Sequence, residues 1–426
     1  MRIALFAETY LPNVSGVVTH VHALRVGLER LGHEVLVVCG DNSYGRHLLK
    51  DNVLYCPGFV SEKFYGYTLS TPWSKQRVKY INDFAPDIIH LHTEFGIGMF
   101  GMHWALSHNL PLVYTLHTMY DDYVYYVAPR PFIPAARSLS HKFFARYIKA
   151  ADAITGPSQK CQDYVDALGL KRHVHIIPNP VELDKFDMSN IDSAAVQAVR
   201  ERHNLPADCH YVIFVGRLGK EKSADDLIKC WAAAVRPEDN FKLLIIGEGP
   251  VRAELQQLTA DLGAEDRIIL PGKVEHDDIP PYLALGSLYA TASLSDTNSI
   301  SMLEGMACGL PVLQKYDPIN ADQIREGVNG FVFRDAAELQ QKLAAWQALS
   351  DGQKAALRAS TRQSVADQGY EALAKRLLAV YAEAADVQKR MPHNGIRLKI
   401  TRQLKTAKNA MGRFYKFPRI FNQHRD

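Results

Sequence analysis

The stretch "LYATASLSDTNSISMLEGMACGLPVL", residues 288–313, contains a structural unit that recurs along this chain. Its first five residues are mostly apolar, as in a short buried strand, and the segment from Met302 has a helical composition that ends at Gly309. The loop between them leads into a helix N-terminus, where backbone N–H groups favour an anion. Two acids lie beside this predicted anion site, Asp296 in the loop and Glu304 in the helix. A helix cap or an ion pair would also account for them.

Strand and helix patterns alternate along almost the whole chain, which indicates parallel sheets covered by helices. One series starts with "RIALFAE" at residue 2 and closes near Pro180, and a second starts with "HYVIFVGRL" at residue 210. We therefore predict an α/β protein with two doubly wound, Rossmann-like domains that face each other across a cleft. The predicted bounds are 1–185 and 186–370 for the domains, 371–390 for a helix that crosses back to the first domain, and 391–426 for a basic tail.

The composition argues against several classes of protein, among them zinc-bound, disulfide-rich and membrane-spanning proteins. A chain of 426 residues with 47% hydrophobic residues can bury two or three cores. Its six cysteines form no C-x-x-C pair, which argues against a zinc or disulfide scaffold and fits a reducing cytosol. The N-terminus lacks the apolar core of a signal peptide, and no apolar run reaches the roughly 18 residues of a membrane span.

The net charge of +3 is unevenly distributed. Residues 389–426 contain eleven Lys and Arg and one acid, so this tail carries +10 and the rest of the chain −7. Aliphatic and aromatic residues interleave with the charges, which favours an anionic membrane surface. Residues 123–151 form a second basic stretch without acids. Nucleic acid and a merely solvated end are the alternatives, and we expect no nucleic-acid partner.

Two cations follow the first strand of the second series. "VGRLGKEKSADDLI", residues 215–228, places Arg217 and Lys222 in one strand-to-helix loop, where they could hold a diphosphate, although Glu221 could pair with either. The loop "TYLPNVSGVV" after the first strand is not G-x-G-x-x-G, which disfavours ordinary dinucleotide binding. Its Gly16 would still let a ligand approach the backbone.

These motifs together resemble a known family. "GRLGKEKSADDLI", "GEGP", "LPGKV" and "SLSDTNSISMLEGMACGLPV" resemble, in this order, the second domain of glycosyltransferase family 4, retaining enzymes of GT-B fold that use nucleotide sugars. "ETYLPNVSGVVTHVHALRVGLERLGHEV" and "DIIHLHTEFGIG" agree with its first domain, and the resemblance covers roughly residues 1–385. Within the family, "YTLHTMYDDYVYYV" is most similar to the bacterial 1,2-diacylglycerol 3-alpha-glucosyltransferases.

The resemblance implies roles for individual residues. Glu304 would hold the nucleotide ribose, Asp296 the donor sugar's hydroxyls, and His117 would lie at the active-site edge, so these three form the expected catalytic set. The expected donor-binding residues are Gly16, Arg217, Lys222, Lys273, Val274, Asn298, Ser299, Ile300 and Glu304. The residues expected at the acceptor and membrane side are Tyr120, Tyr123, Arg130, Arg137, Lys142, Arg146 and Lys149.

We therefore expect a retaining enzyme that transfers a hexose, glucose by preference, from a UDP-sugar to diacylglycerol. No cofactor is expected beyond this co-substrate, and no metal site, because no metal-ligand spacing accompanies His117. The expected location is cytoplasmic, peripheral on the inner face of the cell membrane. One alternative is a soluble or undecaprenyl-linked saccharide acceptor. Another is a non-catalytic sugar-nucleotide-binding subunit, suggested by Asp296 and Ser299, where the family usually has Glu and Gly.

Overall fold

The computed structural model describes residues 1–13, 15–61, 67–117, 133–318 and 323–393. The strands of the first domain are β1 (Arg2–Phe6), β2 (Glu34–Gly40), β3 (Leu48–Lys50), β4 (Val53–Cys56), β5 (Gly58–Ser61), β6 (Tyr67–Ser70), β7 (Ile88–Leu91), β8 (Leu112–Thr115), β9 (Ala153–Gly156) and β10 (Val174–Ile176). Its helices are α1 (Gly16–Arg30), α2 (Lys75–Phe84), α3 (Gly96–His108), α4 (Ile133–Ala150) and α5 (Gln159–Ala167).

Eight of these strands form one sheet, in the order β10-β9-β8-β7-β1-β2-β4-β3, in which β3 alone runs antiparallel to its neighbour. β5 and β6 form a separate antiparallel pair. The continuous apolar runs of β1 and β2 are buried on both faces, as expected for a sheet with helices on each side. α1 begins where the Ser15 hydroxyl accepts a hydrogen bond from the N–H of Val18 at 3.3 Å.

The second domain repeats this plan with a parallel sheet. Its strands are β11 (His210–Val215), β12 (Phe241–Ile246), β13 (Ile268–Gly272), β14 (Gly286–Thr291), β15 (Val312–Lys315) and β16 (Gly330–Phe333), in the order β13-β12-β11-β14-β15-β16. Its helices are α6 (Ser193–Arg202), α7 (Ala224–Ala234), α8 (Arg252–Asp261), α9 (Ile279–Ala284), α10 (Ile300–Ala307), α11 (Ala336–Gln347) and α12 (Asp351–Gln363). The sequence reading did not assign β16 or the β3 to β6 segments, which are only three or four residues long.

The stretch quoted at the outset folds as strand β14, a loop, helix α10 and strand β15. Ser299 caps α10, since its hydroxyl accepts a hydrogen bond from the N–H of Met302 at 3.4 Å. Gly309 follows the helix with a φ of +74°, a backbone conformation that favours glycine. The predicted order of strand, loop and helix is confirmed.

The last helix, α13 (Tyr370–Arg390), packs on the first domain. Leu373, Leu377 and Tyr381 are buried in one core with residues of β1 and α1. At Gly27 of α1 a Cβ atom would lie 2.2 Å from the carbonyl oxygen of Tyr370, so only glycine lets the two helices approach so closely. The prediction that this helix crosses back to the first domain is confirmed.

The packed chain continues slightly beyond α13. His393 is 2% exposed, its backbone N–H donates to the side chain of Asn109 at 3.1 Å, and its Nε2 lies 3.2 Å from the carboxylate of Asp152. The third residue of the predicted tail is therefore anchored to the first domain. Among the described residues, no helix is both long and apolar enough to cross a bilayer.

Candidate active site

The predicted site residues converge where the carboxyl ends of the two sheets face each other. Thr297, in the loop before α10, donates from its hydroxyl to the carbonyl oxygen of His117 at 3.4 Å. A Cβ atom at Gly16 would lie 3.9 Å from the Ile300 side chain. Ligand sites of doubly wound sheets lie at this edge. The loop predicted to bind the donor therefore lies against the start of α1 and the end of β8.

Two ion pairs lie in the loops of the second domain that are predicted to bind the donor. Lys222 Nζ donates to Asp296 at 2.5 Å, and both side chains are about a quarter exposed, at 23% and 24%. Arg217 Nη1 lies 3.2 Å from the buried carboxylate of Glu221. The expectation that Glu221 could pair with one of the two cations is confirmed. Both pairs lie in loops after the neighbouring strands β11 and β14, so two cations, each with a carboxylate partner, lie at this rim of the sheet.

Glu304 is almost buried, at 5% exposure, and bonds with His276. Glu304 Oε1 lies 2.7 Å from His276 Nε2, and Lys185 Nζ lies 3.1 Å from His276 Nδ1. A lysine ammonium can only donate, so Nδ1 accepts and the Nε2–H of His276 donates to Glu304. This hydrogen bond engages Oε1 of the carboxylate and not its second oxygen.

The residues of the predicted diphosphate loop also join the two domains. The backbone N–H of Asn179, at the end of the first domain, donates to Asn298 Oδ1 at 2.9 Å, and its side-chain amide donates to the Asn298 carbonyl at 2.7 Å. Ser299 has φ −70° and ψ 117°, an ordinary extended conformation, and its hydroxyl caps α10. The serine therefore has a structural role at the position where the family usually has glycine.

Four histidines cluster at the carboxyl ends of β7 and β8. His92 Nδ1 lies 3.0 Å from His117 Nε2, and the ring of His20, from α1, meets that of His117 edge-on with centroids 4.7 Å apart. The rings of His90 and His92 have centroids 4.1 Å apart and are tilted by 38° relative to each other. Burial lowers the pKa of all four, that of His20 to about 4, so the imidazoles are neutral near pH 7.

His90 has a separate structural role. Its ring nitrogens lie 2.8 Å from the hydroxyl of Tyr381 and 2.7 Å from that of Thr115, so it ties α13 to the first sheet.

The basic residues of α4 form an exposed stripe. Arg137, Lys142, Arg146 and Lys149 are all exposed, and Leu139 between them is 70% exposed. α4 connects the parallel strands β8 and β9, so it runs antiparallel to them, and its first turns lie at the sheet edge that carries His117. Tyr120, Tyr123 and Arg130 lie outside the described residues.

Some predicted residues lie farther from the centre. Lys273 pairs with Glu275 at 2.5 Å, and its side chain is 65% exposed. Val274 packs against a buried core of the second domain. Both residues shortly precede His276 in the chain.

The sequence reading missed His276, His20, Asn179 and Lys160. The first two had local signals: His276 is the one histidine in the acidic segment "EHDD", and His20 lies on the helix after the glycine loop. Asn179 and Lys160 act through contacts with the other domain, which no local pattern predicts.

Two family models match the chain. Residues 14–185 match the model of Glycosyltransferase Family 4, and residues 196–366 match that of Glycosyl transferases group 1. The alpha-monoglucosyldiacylglycerol synthase of Acholeplasma laidlawii is 33% identical over 348 residues, which are 80% of this chain and 87% of that protein. The synthase of the same name from Streptococcus pneumoniae is 26% identical over 334 residues, 78% of this chain and 75% of that protein.

The fold has close counterparts among solved structures. The crystal structure of Anabaena Alr3699/HepE in complex with UDP-glucose has a TM-score of 0.67 with this chain at 19% identity, and the match covers 90% of this chain and 99% of that one. At this identity the likeness shows the fold, two Rossmann-like domains in the GT-B arrangement. Together with the first relative, which exceeds 30% identity over most of its length, these findings establish that the chain is a glycosyltransferase of GT-B fold that belongs to glycosyltransferase family 4.

Proposed function

We propose that this enzyme transfers glucose from UDP-glucose to diacylglycerol at a membrane surface, with retention of the anomeric configuration. The observation that carries the proposal is the contact between Thr297 and His117, because it sets the predicted donor loop against the predicted active-site histidine. A sugar held by that loop would have its anomeric carbon next to the first domain, from which an acceptor hydroxyl approaches.

The donor side supplies the charge that a nucleotide sugar needs. We infer that the diphosphate displaces Asp296 and Glu221 as partners of Lys222 and Arg217, since the side chains of both cations are partly exposed, at 23% and 39%. Fixed cations stabilise the negative charge that develops on a leaving diphosphate. Asp296 would then accept hydrogen bonds from sugar hydroxyls, and the free oxygen of Glu304 from the ribose.

The transfer step follows from this arrangement. The bond between the anomeric carbon and the diphosphate oxygen breaks, and the acceptor oxygen bonds to that carbon from the same face. The acceptor's proton passes to the departing diphosphate, so charge and atoms balance. His117, which burial keeps neutral, would orient the sugar or the incoming hydroxyl as a hydrogen-bonding group.

The lipid acceptor rests on two supports. Two relatives are named alpha-monoglucosyldiacylglycerol synthases. The exposed basic stripe on α4 begins at the edge of the sheet that carries His117, and basic side chains beside an exposed leucine suit an anionic lipid surface. The lipid head group would therefore reach the cleft from the first-domain side.

The test is transfer by the purified full-length protein from UDP-glucose to vesicles of diacylglycerol and anionic phospholipid. The expected product is the 3-O-α-glucosyl lipid, identified by the anomeric coupling in its NMR spectrum. A β-linked product would contradict retention. Transfer to water-soluble saccharides without transfer to diacylglycerol would contradict the lipid acceptor, and absence of turnover with any donor would favour a non-catalytic subunit.

A further inference from the structure

Three imidazoles from separate parts of the chain converge beside the cleft. The ring nitrogens of His20, His92 and His117 that could bind a metal all lie within 4.8 Å of one another. Tetrahedral zinc with ligand nitrogens at about 2.0–2.1 Å needs nitrogens roughly 3.3 Å apart, so shifts of about 1.5 Å or less would complete the site. His92 Nδ1 and His117 Nε2 already lie 3.0 Å apart, and an ion bound by these two atoms would replace the hydrogen bond between them.

Two of these side chains have a ring nitrogen that the fold leaves unused. His20 is 2% exposed and His92 is 1% exposed, and the Nε2 atom of each has no hydrogen-bond partner among the described residues. A metal ion bound at His20 Nε2 would remove the cost of leaving that buried atom without a partner. His117 is only partly buried, so the cluster can be reached from the side that faces the cleft.

The orientation of His20 suits a metal ligand. The side-chain amide of Asn179 donates to Asn298, so its Oδ1 is the atom that faces His20 Nδ1 at 3.0 Å and accepts a hydrogen bond from it. Nδ1 therefore carries the proton, and the lone pair is on Nε2, the atom without a partner. A histidine whose other nitrogen donates to a carbonyl oxygen has the arrangement found around bound metals.

We propose that His20, His92 and His117 bind one Zn²⁺ ion and that the bound ion inhibits glycosyl transfer. Three neutral imidazoles leave the fourth position of a tetrahedral zinc open, on the side of the cleft. The ion would remove His117 from contact with the substrates. This inference replaces the expectation from sequence that there is no metal site, and its inhibitory part rests on the proposed function.

Metal binding is tested first, without reference to activity. Full-length protein without a histidine tag is stripped with EDTA, dialysed and titrated with Zn²⁺ against a chromophoric chelator, and separately with Co²⁺. We expect one Zn²⁺ per chain and visible Co²⁺ absorption bands of tetrahedral intensity. Absence of both from the wild-type protein would overturn the proposal even if every variant failed to fold.

Variants then assign the ligands. His92→Gln should weaken Zn²⁺ binding by at least about tenfold, whereas His203→Gln should not, because His203 lies in the second domain, bonded to Tyr282. Circular dichroism checks that each variant is folded. Equal Zn²⁺ affinity for folded His92→Gln and the wild type would contradict the assignment.

Inhibition is measured on the wild type in the vesicle assay. Stoichiometric Zn²⁺ should reduce transfer at least tenfold, and EDTA should restore it. If Zn²⁺ bound stoichiometrically and glucose transfer were not reduced, the inhibitory role would be overturned. The same would follow if transfer required Zn²⁺. If the protein bound Zn²⁺ but transferred no glucose under any condition, the failure would lie in the proposed function.

Discussion

Lys222 forms an ion pair with the loop that is predicted to bind the donor. It pairs with Asp296 at 2.5 Å while almost a quarter of its side chain remains exposed, so a ligand can compete for it. The neighbouring Arg217 pairs with Glu221 in the same loop. In the proposed mechanism these two cations would stabilise the leaving diphosphate in place of a metal ion.

We therefore predict that Lys222→Ala lowers the turnover rate by about 10² to 10³, as the loss of one charge-assisted contact in a transition state does. Lys229→Ala is the matched control, because Lys229 pairs with Asp225 at 2.8 Å on the exposed face of α7. Turnover is measured with and without EDTA, which should have little effect. A near-normal rate for Lys222→Ala combined with loss of turnover in EDTA would contradict this model of the donor site.

Glu8 is a buried acid that the proposed mechanism does not use. It lies after β1 at 4% exposure, and its carboxylate accepts a hydrogen bond from the N–H of Ile97 at 3.1 Å. Burial raises its pKa from 4.5 to about 7. The folded state thus binds the proton of the Glu8 carboxyl more tightly than the unfolded state does. The stabilisation that this protonation gives to the folded state is complete below pH 4.5 and is lost as the pH rises through 7.

Glu8→Gln should remove this dependence on pH. The free energy of unfolding of the wild type, relative to that of the variant, should fall by about 3 kcal/mol between pH 4.5 and 7.5, since each pKa unit corresponds to about 1.36 kcal/mol. Urea unfolding at a series of pH values measures both proteins, and the difference cancels other titrating groups such as His393. A constant difference across this range would show that Glu8 has an ordinary pKa.

Among the structural elements, the N-terminus of α5 and the loops after β14 and β15 hold the two domains together. Lys160, at the start of α5, donates from Nζ to the carbonyl oxygen of Leu294 and lies 3.8 Å from the carboxylate of Asp317. The side chains of Lys160 and Asp317 are only 7% and 3% exposed. This buried contact links the two domains in the arrangement in which Thr297 meets His117.

We predict that Lys160→Met loosens this arrangement. A hydrogen bond from a charged group contributes about 1.5–3 kcal/mol, so kcat/KM should fall at least about tenfold. Small-angle X-ray scattering should give a larger radius of gyration than for the wild type. Lys171→Met, an exposed position in the same domain, serves as control. Unchanged scattering and unchanged kcat/KM would show that this contact does not hold the two domains in their arrangement.

At the level of the whole molecule, most of the architecture could be predicted from the sequence because it depends on local patterns. Alternating apolar strands and amphipathic helices predict two parallel sheets, and the loop between β14 and α10 was predicted with its acids in place. The amphipathic pattern of residues 370–390 gave the bounds of α13. Short strands such as β16 were missed, because four residues carry too little periodicity.

The convergence of distant side chains could not be predicted in the same way. His20, His92 and His117 lie on α1, after β7 and after β8, and only the strand order of the first sheet brings them together. Asn179 and Asn298 are 119 positions apart and belong to different domains. Such contacts depend on topology and on how two cores pack, and neither leaves a spacing pattern in the chain.

The basic face of the molecule leads to the last prediction, which concerns membrane docking. Lys142 and Arg146 lie one turn apart on the exposed stripe of α4, and each contributes about 1 kcal/mol to attraction toward an anionic surface. Reversing both charges, as Lys142→Glu with Arg146→Glu, should therefore weaken binding to anionic vesicles by roughly thirtyfold or more. The effect should fade at high salt, where the Debye length shortens.

The matched control reverses two exposed charges of the second domain, Lys229→Glu with Arg236→Glu, and changes the net charge by the same amount. Truncation tests the tail separately and should follow His393 rather than Arg390, because His393 is packed against Asp152 and its removal would disturb the first domain. Vesicle sedimentation measures each protein on neutral and anionic lipid. If docking depended on net charge alone, both double variants would lose affinity equally. If docking depended on the face formed by α4, only the double variant Lys142→Glu with Arg146→Glu would lose affinity for anionic vesicles. That is the result we expect.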